Sequence, residues 1–160
     1  MRALFAAVSL CAVVSAGCGE RVDLSKGLEV TDVMTGWSNA GEVNGQNKMV
    51  PTITFKLKNV SDQKLSTLQA NVIFRRVNED QEWGAAWVRI TGTEGLAPGQ
   101  TSEPQRVECP KGYTGSETRT AMMANSAFVD ARVRIFAKYE STQWAPVAEL
   151  NVDRRLLSAE

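Results

Sequence analysis

The chain has no histidine in its 160 residues. That absence removes the commonest general base, the commonest metal ligand and the usual pH switch together. A Ser-His-Asp relay cannot be built from what is left. Cysteine is scarce as well: Cys11 and Cys18 lie near the N-terminus, Cys109 stands far away before Pro110, and no CxxC pair occurs. Structural zinc and thioredoxin-like exchange therefore have no ligand set. There is no GxSxG elbow, no phosphate-cradling glycine loop and no paired-carboxylate motif. An excess of charge is also missing, with 18 basic against 18 acidic side chains, and loss of Arg2 with a leader would put the acids one ahead. This balance provides no overall field for nucleic acid or an anionic membrane.

Several weaker chemistries fall to spacing. Met34, Met49, Met122 and Met123 with Cys109 are soft donors of the kind that bind Cu(I), but nothing in their spacing supports a site, and adjacent Met122-Met123 reads as gap-filling under a loop. Glu79-Asp80-Gln81-Glu82 is the one acidic cluster; it lacks the alternating ligands of a calcium loop and reads as a solvated hairpin tip. Arg132, Arg134, Arg154 and Arg155 could form a local basic patch, yet they alternate with apolar residues as strand surfaces do. No metal and no cofactor is expected. Cys109 as a catalytic nucleophile would need a base, and only lysines and carboxylates are on offer, so the chain is read as non-enzymatic with no catalytic residue.

With 43% hydrophobic and 22% charged residues, the chain has the composition of one globular domain. Its organising stretch runs from Pro51 to Val77. Ile53, Phe55 and Leu57 alternate with Thr54, Lys56 and Lys58, and Leu68, Ala70, Val72 and Phe74 alternate with Thr67, Gln69 and Asn71. This period of two marks half-buried strands over 50–60 and 65–77, joined as a hairpin by the polar turn Ser61-Asp62-Gln63-Lys64. A strand is expected from Leu28 to Met34, with Trp37 as its outer limit, and an exposed loop over 38–48. Further strands are expected over 83–91, over 101–109 as an edge because of Pro104, over 128–139 and over 144–155. Glu117 to Asn125 holds enough helix formers for one or two turns. About seven short strands with turns between them, and no long amphipathic helix, predict an all-β fold: an antiparallel immunoglobulin-like β-sandwich over 28–157.

The N-terminus reads as an address. Arg2 supplies a charge, Ala3 to Val14 is an almost unbroken apolar run too short to span a bilayer, and small residues follow, which is the layout of a secretory signal peptide over 1–17. Val14-Ser15-Ala16-Gly17-Cys18 resembles the lipobox of bacterial lipoproteins, with Ser15 where that family usually carries a branched aliphatic residue. The resemblance implies export, cleavage before Cys18, acylation of its thiol and a membrane anchor. Gly19, rather than aspartate, implies retention at the outer membrane where the source has two. Residues 18–27 would then be the lipidated cysteine and a tether. The rival is cleavage after Ala16, leaving a soluble secreted domain in which Cys18 pairs with Cys109.

Within the domain, the run from Phe55 through Asn59-Val60-Ser61-Asp62 to Leu65, then Val72-Ile73-Phe74 and Leu96-Ala97-Pro98-Gly99-Gln100, resembles FxLyD-type and related small β-sandwich domains of bacterial envelope proteins. Arg75-Arg76-Val77 replaces the family's usual Tyr-Asp turn, and the match covers about 50–107. The resemblance carries over no catalytic residue. The chain is read as an accessory module that contacts another envelope protein through its unpaired sheet edges and the Trp83/Trp87 face. For binding, the four tryptophans stand out, because exposed indoles anchor interfaces and stack on sugars. Trp83 and Trp87 share strand parity and are the candidate binding residues if their face meets solvent; the alternative is that the indoles fill the inter-sheet core. A glycan- or peptidoglycan-binding module is the second functional reading.

Overall fold

The computed structural model describes residues 20–157; the expected signal peptide and Cys18 lie outside them. The domain is an all-β sandwich. A first layer runs β5 (Gln105–Glu108), β2 (Gln46–Asn59), β1 (Leu28–Val43) and β9 (Leu156–Leu157), with β6 (Tyr113–Gly115) also on β2. A second layer runs β4 (Glu82–Arg89), β3 (Gln69–Arg76), β7 (Ala131–Lys138) and β8 (Ala145–Asn151). Seven of these strands have four residues or more. Every pairing is antiparallel except the short one between β1 and β9.

The alternating segments become strands with the faces they predict. Ile53, Phe55 and Leu57 of β2 pack against Ala70, Val72 and Phe74 of β3 and Ala131, Val133, Ile135 and Ala137 of β7, and all ten side chains are fully buried. Their neighbours of opposite parity stay half-exposed, apart from the buried Thr52. Edge strand β5 starts immediately after Pro104, whose missing N–H cannot serve a ladder. Within the expected helical stretch, α2 (Arg119–Ala124) is capped by Thr118, whose hydroxyl accepts from the Ala121 N–H.

Three expectations change. First, the expected hairpin between 50–60 and 65–77 does not form: β2 pairs with β1, β5 and β6, whereas β3 pairs with β4 and β7 in the other layer. The turn after Asn59 carries the chain between sheets. Second, the expected loop over 38–48 is the end of a long ribbon in which Val43 opposes Gln46 across Asn44-Gly45. Both turn residues have positive φ, 51° and 75°, as a two-residue hairpin turn requires. The arms of this ribbon are polar and exposed on both faces, so no apolar alternation marks them. Third, the expected tether is folded. Asp23 caps α1 (Leu24–Gly27), Leu24 and Gly27 are buried, the Val22 N–H donates to the Tyr139 hydroxyl at 2.8 Å, and the Gln63 side chain donates to the Glu20 carbonyl at 2.8 Å.

One buried amide joins the chain's two turn motifs. Asn59 donates through Nδ2 to the carbonyls of Gln63 and Leu96, both at 2.8 Å, and its Oδ1 accepts from the backbone and the hydroxyl of Ser61. Its backbone N–H donates to the Gln100 carbonyl, and its carbonyl accepts from the Gly99 N–H. Asn59→Ala removes one donor from each of two carbonyls, leaving the Leu65 N–H on Leu96 and the Ser61 hydroxyl on Gln63, and frees the Ser61 N–H; it is expected to destabilise by about 1–3 kcal/mol. Phe55→Ala and Phe74→Ala should each cost about 3–5 kcal/mol as full core truncations. Urea midpoints read both; an unchanged midpoint for Asn59→Ala would show that the hub is dispensable.

Candidate functional site

The tryptophans divide between the two ends of the sandwich, and Trp83 and Trp87 do not share a face. In β4, Gly84 opposes Phe74 while Glu82 opposes Arg75, so Trp83 is the extra residue of a bulge. The bulge turns Trp83 towards the core, where it meets Trp37 (6.2 Å between ring centroids) and Tyr113 (5.0 Å). Trp37 is 0% exposed and also packs edge-on against Phe128 at 4.6 Å. Trp83 is therefore a packing residue, and its expected place on a shared binding face is corrected. Core filling holds for Trp37 and Trp83.

Trp87 is the other half of the answer. It is 64% exposed, beyond the bulge and on the outer face of the second sheet. Cross-strand register places it in one row with Asn71 of β3, Phe136 of β7 and Pro146 of β8. Trp144, just before β8, leans in from the far side, and the two indoles meet edge to face at 5.1 Å and 78°. Lys138 sets its ammonium 5.0 Å over the Trp144 ring, and Arg134 lies 5.1 Å over Phe136. The Asn71 Oδ1 is buried under this surface without a hydrogen-bond partner. Sequence reasoning missed Trp144 because it falls outside the β4 pattern; its parity with Pro146, two residues on, was the available signal.

The arginines singled out in the sequence are mostly engaged. Arg132 and Arg134 both reach Glu149, at 3.4 and 3.1 Å. Arg154 pairs with Asp130 at 2.7 Å, donates to the carbonyls of Met123 and Phe128, and covers the Phe128 ring. It is a clamp on the loop after α2. Arg155 donates to the Thr35 carbonyl at 2.9 Å. Lys138, Arg89 and Arg75 take part in no ion pair among the described residues. The outer sheet face is consequently cationic as well as aromatic.

Cys109 is 2% exposed, and burial pushes its thiol above the ordinary range. It packs against the β4 bulge, where a Cβ on Gly84 would come within 2.8 Å of its Sγ; the glycine is required by this close approach. A thiol in this setting is a poor nucleophile. Its alternative disulfide partner, Cys18, lies outside the described residues.

Met49, Met122 and Met123 are buried, and Met122 fills the space beside Gly115. Among the described residues, no three of Cys, Asp and Glu gather closely enough to hold a metal ion. A cleft of about 210 Å³ lies between β6 and α2, lined by Tyr113, Met122, Asn125 and Phe128 among others. That is below the usual range for a small-molecule site, and the wider hollows, about 410 Å³ beside Met123, Arg154 and Leu156 and about 600 Å³ beside Glu20, Lys26 and Gln63, are shallow and open to solvent. The edges are partly guarded: α1 packs along β8 and β5 lies beside β4. The Trp87–Trp144 face is thus the candidate functional surface.

No family model matches the chain, and no curated protein matches it. Among solved structures it is similar to a Northeast Structural Genomics Consortium target designated SoR45, at 13% identity and a TM-score of 0.45, covering 81% of this chain and 88% of that one. It is also similar to a Bordetella pertussis protein bearing the provisional name ApaA, at 16% identity and a TM-score of 0.43, covering 79% and 93%.

Trp87→Ala should leave stability within about 0.5 kcal/mol of the parent, whereas Trp83→Ala should cost about 2–3 kcal/mol; chemical denaturation separates them, and equal costs would contradict the bulge. Cys109 should resist a thiol reagent in native protein and react only as fast as the domain unfolds.

Proposed function

We propose that the protein is an exported, membrane-anchored envelope lipoprotein, acylated on Cys18, whose β-sandwich serves as a non-enzymatic interaction module for another envelope protein. The observation that carries the reading is the outer face of the second sheet. Away from its Trp87–Trp144 corner it sets Phe136 under the Arg134 guanidinium, beside Ile73 and Arg75, and Arg75 takes part in no ion pair among the described residues. Aromatic and guanidinium groups dominate the energetic centres of protein interfaces. A partner for it would present acidic and apolar groups. The N-terminal address supports export, and residues 20–27, which begin two positions after Cys18, dock at one end of the domain, in keeping with an anchor there.

Glycan binding is kept as a second reading because Trp87 offers a solvent-exposed ring edge and face on which a sugar could stack. Two measurements separate the possibilities. The intact mass of mature protein from the host membrane fraction should equal residues 18–160 plus a diacylglyceryl group and an amide-linked chain; a bare mass starting at Gly17 overturns the anchor. A photo-crosslinking side chain at Ile73, central to the face, should give one discrete adduct with an envelope protein, and its absence there would sink the protein-partner reading. Titration with peptidoglycan fragments should leave tryptophan fluorescence unchanged; a saturable shift lost in Trp87→Ala would install the glycan reading instead.

A further inference from the structure

We infer that the corner made by Trp87, Trp144 and Lys138 seats the domain on the lipid surface, leaving the rest of the outer sheet face for a protein. The inference rests on the lipid-anchor reading of Cys18 and deepens it by assigning the orientation of the anchored domain. The geometry comes from the folded start of the chain. Glu20 is held at the end of the sandwich by Gln63, and Val22 is tied to Tyr139, the residue after Lys138. Helix α1 packs against β8, which begins one residue after Trp144. With only Gly19 between a held Glu20 and an acylated cysteine, at most about 7 Å of chain is available. This end of the domain must therefore lie at the headgroups rather than float above them.

Two surfaces compete for that contact. The flat end beside Glu20 carries Arg21 and Lys26 against Glu20, Asp23 and Asp62, with Val60 (48% exposed) as its main apolar side chain. An anionic bilayer has no net attraction for it. The adjoining corner of the sheet offers two indoles in contact, Trp87 being 64% exposed, with Lys138 over Trp144 and Arg89 two residues beyond Trp87. Glu140 and Glu94 offset these two cations, so the indoles decide the contact. Indoles partition to the headgroup region, where one side of the ring is apolar and the N–H stays wet. The domain accordingly leans onto this corner instead of standing on its end. Trp37 and Trp83 lie in the cluster at the opposite end of the sheet and do not take part.

Mature protein from the host, mixed with phosphatidylcholine–phosphatidylglycerol vesicles whose acyl chains are brominated near the headgroups, tests this directly. Tryptophan emission should be quenched relative to unbrominated vesicles, and the quenching should vanish in a Trp87→Ala/Trp144→Ala variant while the urea midpoint holds. Intact mass, measured on the same preparation, reports the anchor separately. An acylated mass with no quenching, or with quenching undiminished in the double variant, overturns the seat and leaves the anchor standing. A bare mass with quenching that requires both indoles overturns the anchor and keeps the lipid contact. A bare mass without quenching removes both.

Discussion

The side-chain amide of Asn59 is the constraint on which the rest of the sandwich depends. A chain that leaves one sheet and enters the other must turn sharply with its carbonyls pointing inward, and buried carbonyls need donors. Asn59 supplies two, to Gln63 and Leu96, while its own oxygen holds Ser61. The Leu65–Leu96 bridge and the Gly99 and Gln100 contacts then fix the segment from Gly92 to Gln100 against the end of β2. A single residue thereby ties the end of β2 to both turns that flank the second layer's first two strands. The two short motifs most visible in the sequence, Asn-Val-Ser-Asp and Leu-Ala-Pro-Gly, are opposite sides of one hydrogen-bond cluster.

That convergence explains what could be read from the sequence and what could not. Alternation over Ile53–Leu57, Ala70–Phe74 and Ala131–Ala137 identified the core faces, because burial on one side of a strand leaves a period of two whatever the strand pairs with. Pairing itself leaves no such mark. The polar turn after Asn59 has the composition of a hairpin, and only its side-chain hydrogen bonds, invisible in sequence, send the chain to the other layer. The β1–β2 ribbon was hidden for the opposite reason: Asn44-Gly45 is a strong turn signal, but both faces of its arms meet solvent, so the arms looked like loop.

The site was half legible for a related reason. Parity puts residues four apart on the same face only while the ladder is regular, and one bulge next to Gly84 sends Trp83 inward and leaves Trp87 outside. A glycine within an otherwise apolar strand is a known mark of such irregularity; here it also admits the Cys109 thiol. The resulting division of labour is clear in the packing. Trp37, Trp83, Tyr113 and Phe128 form one aromatic cluster at the far end of the core, closed by Arg76 and Arg154 over its rings. Trp87 and Trp144 contribute little to that core and are free to be selected for contact.

The long ribbon acquires a different meaning when the direction of the chain is followed. β1 begins beside the held N-terminal segment and runs 16 residues to Val43, a contour of about 50 Å at ordinary strand rise. In the anchored molecule proposed above, the Asn44-Gly45 tip would stand at the end of the ribbon away from the membrane, its path bent by the two register shifts, between Thr31 and Met34 and between Asn39 and Glu42.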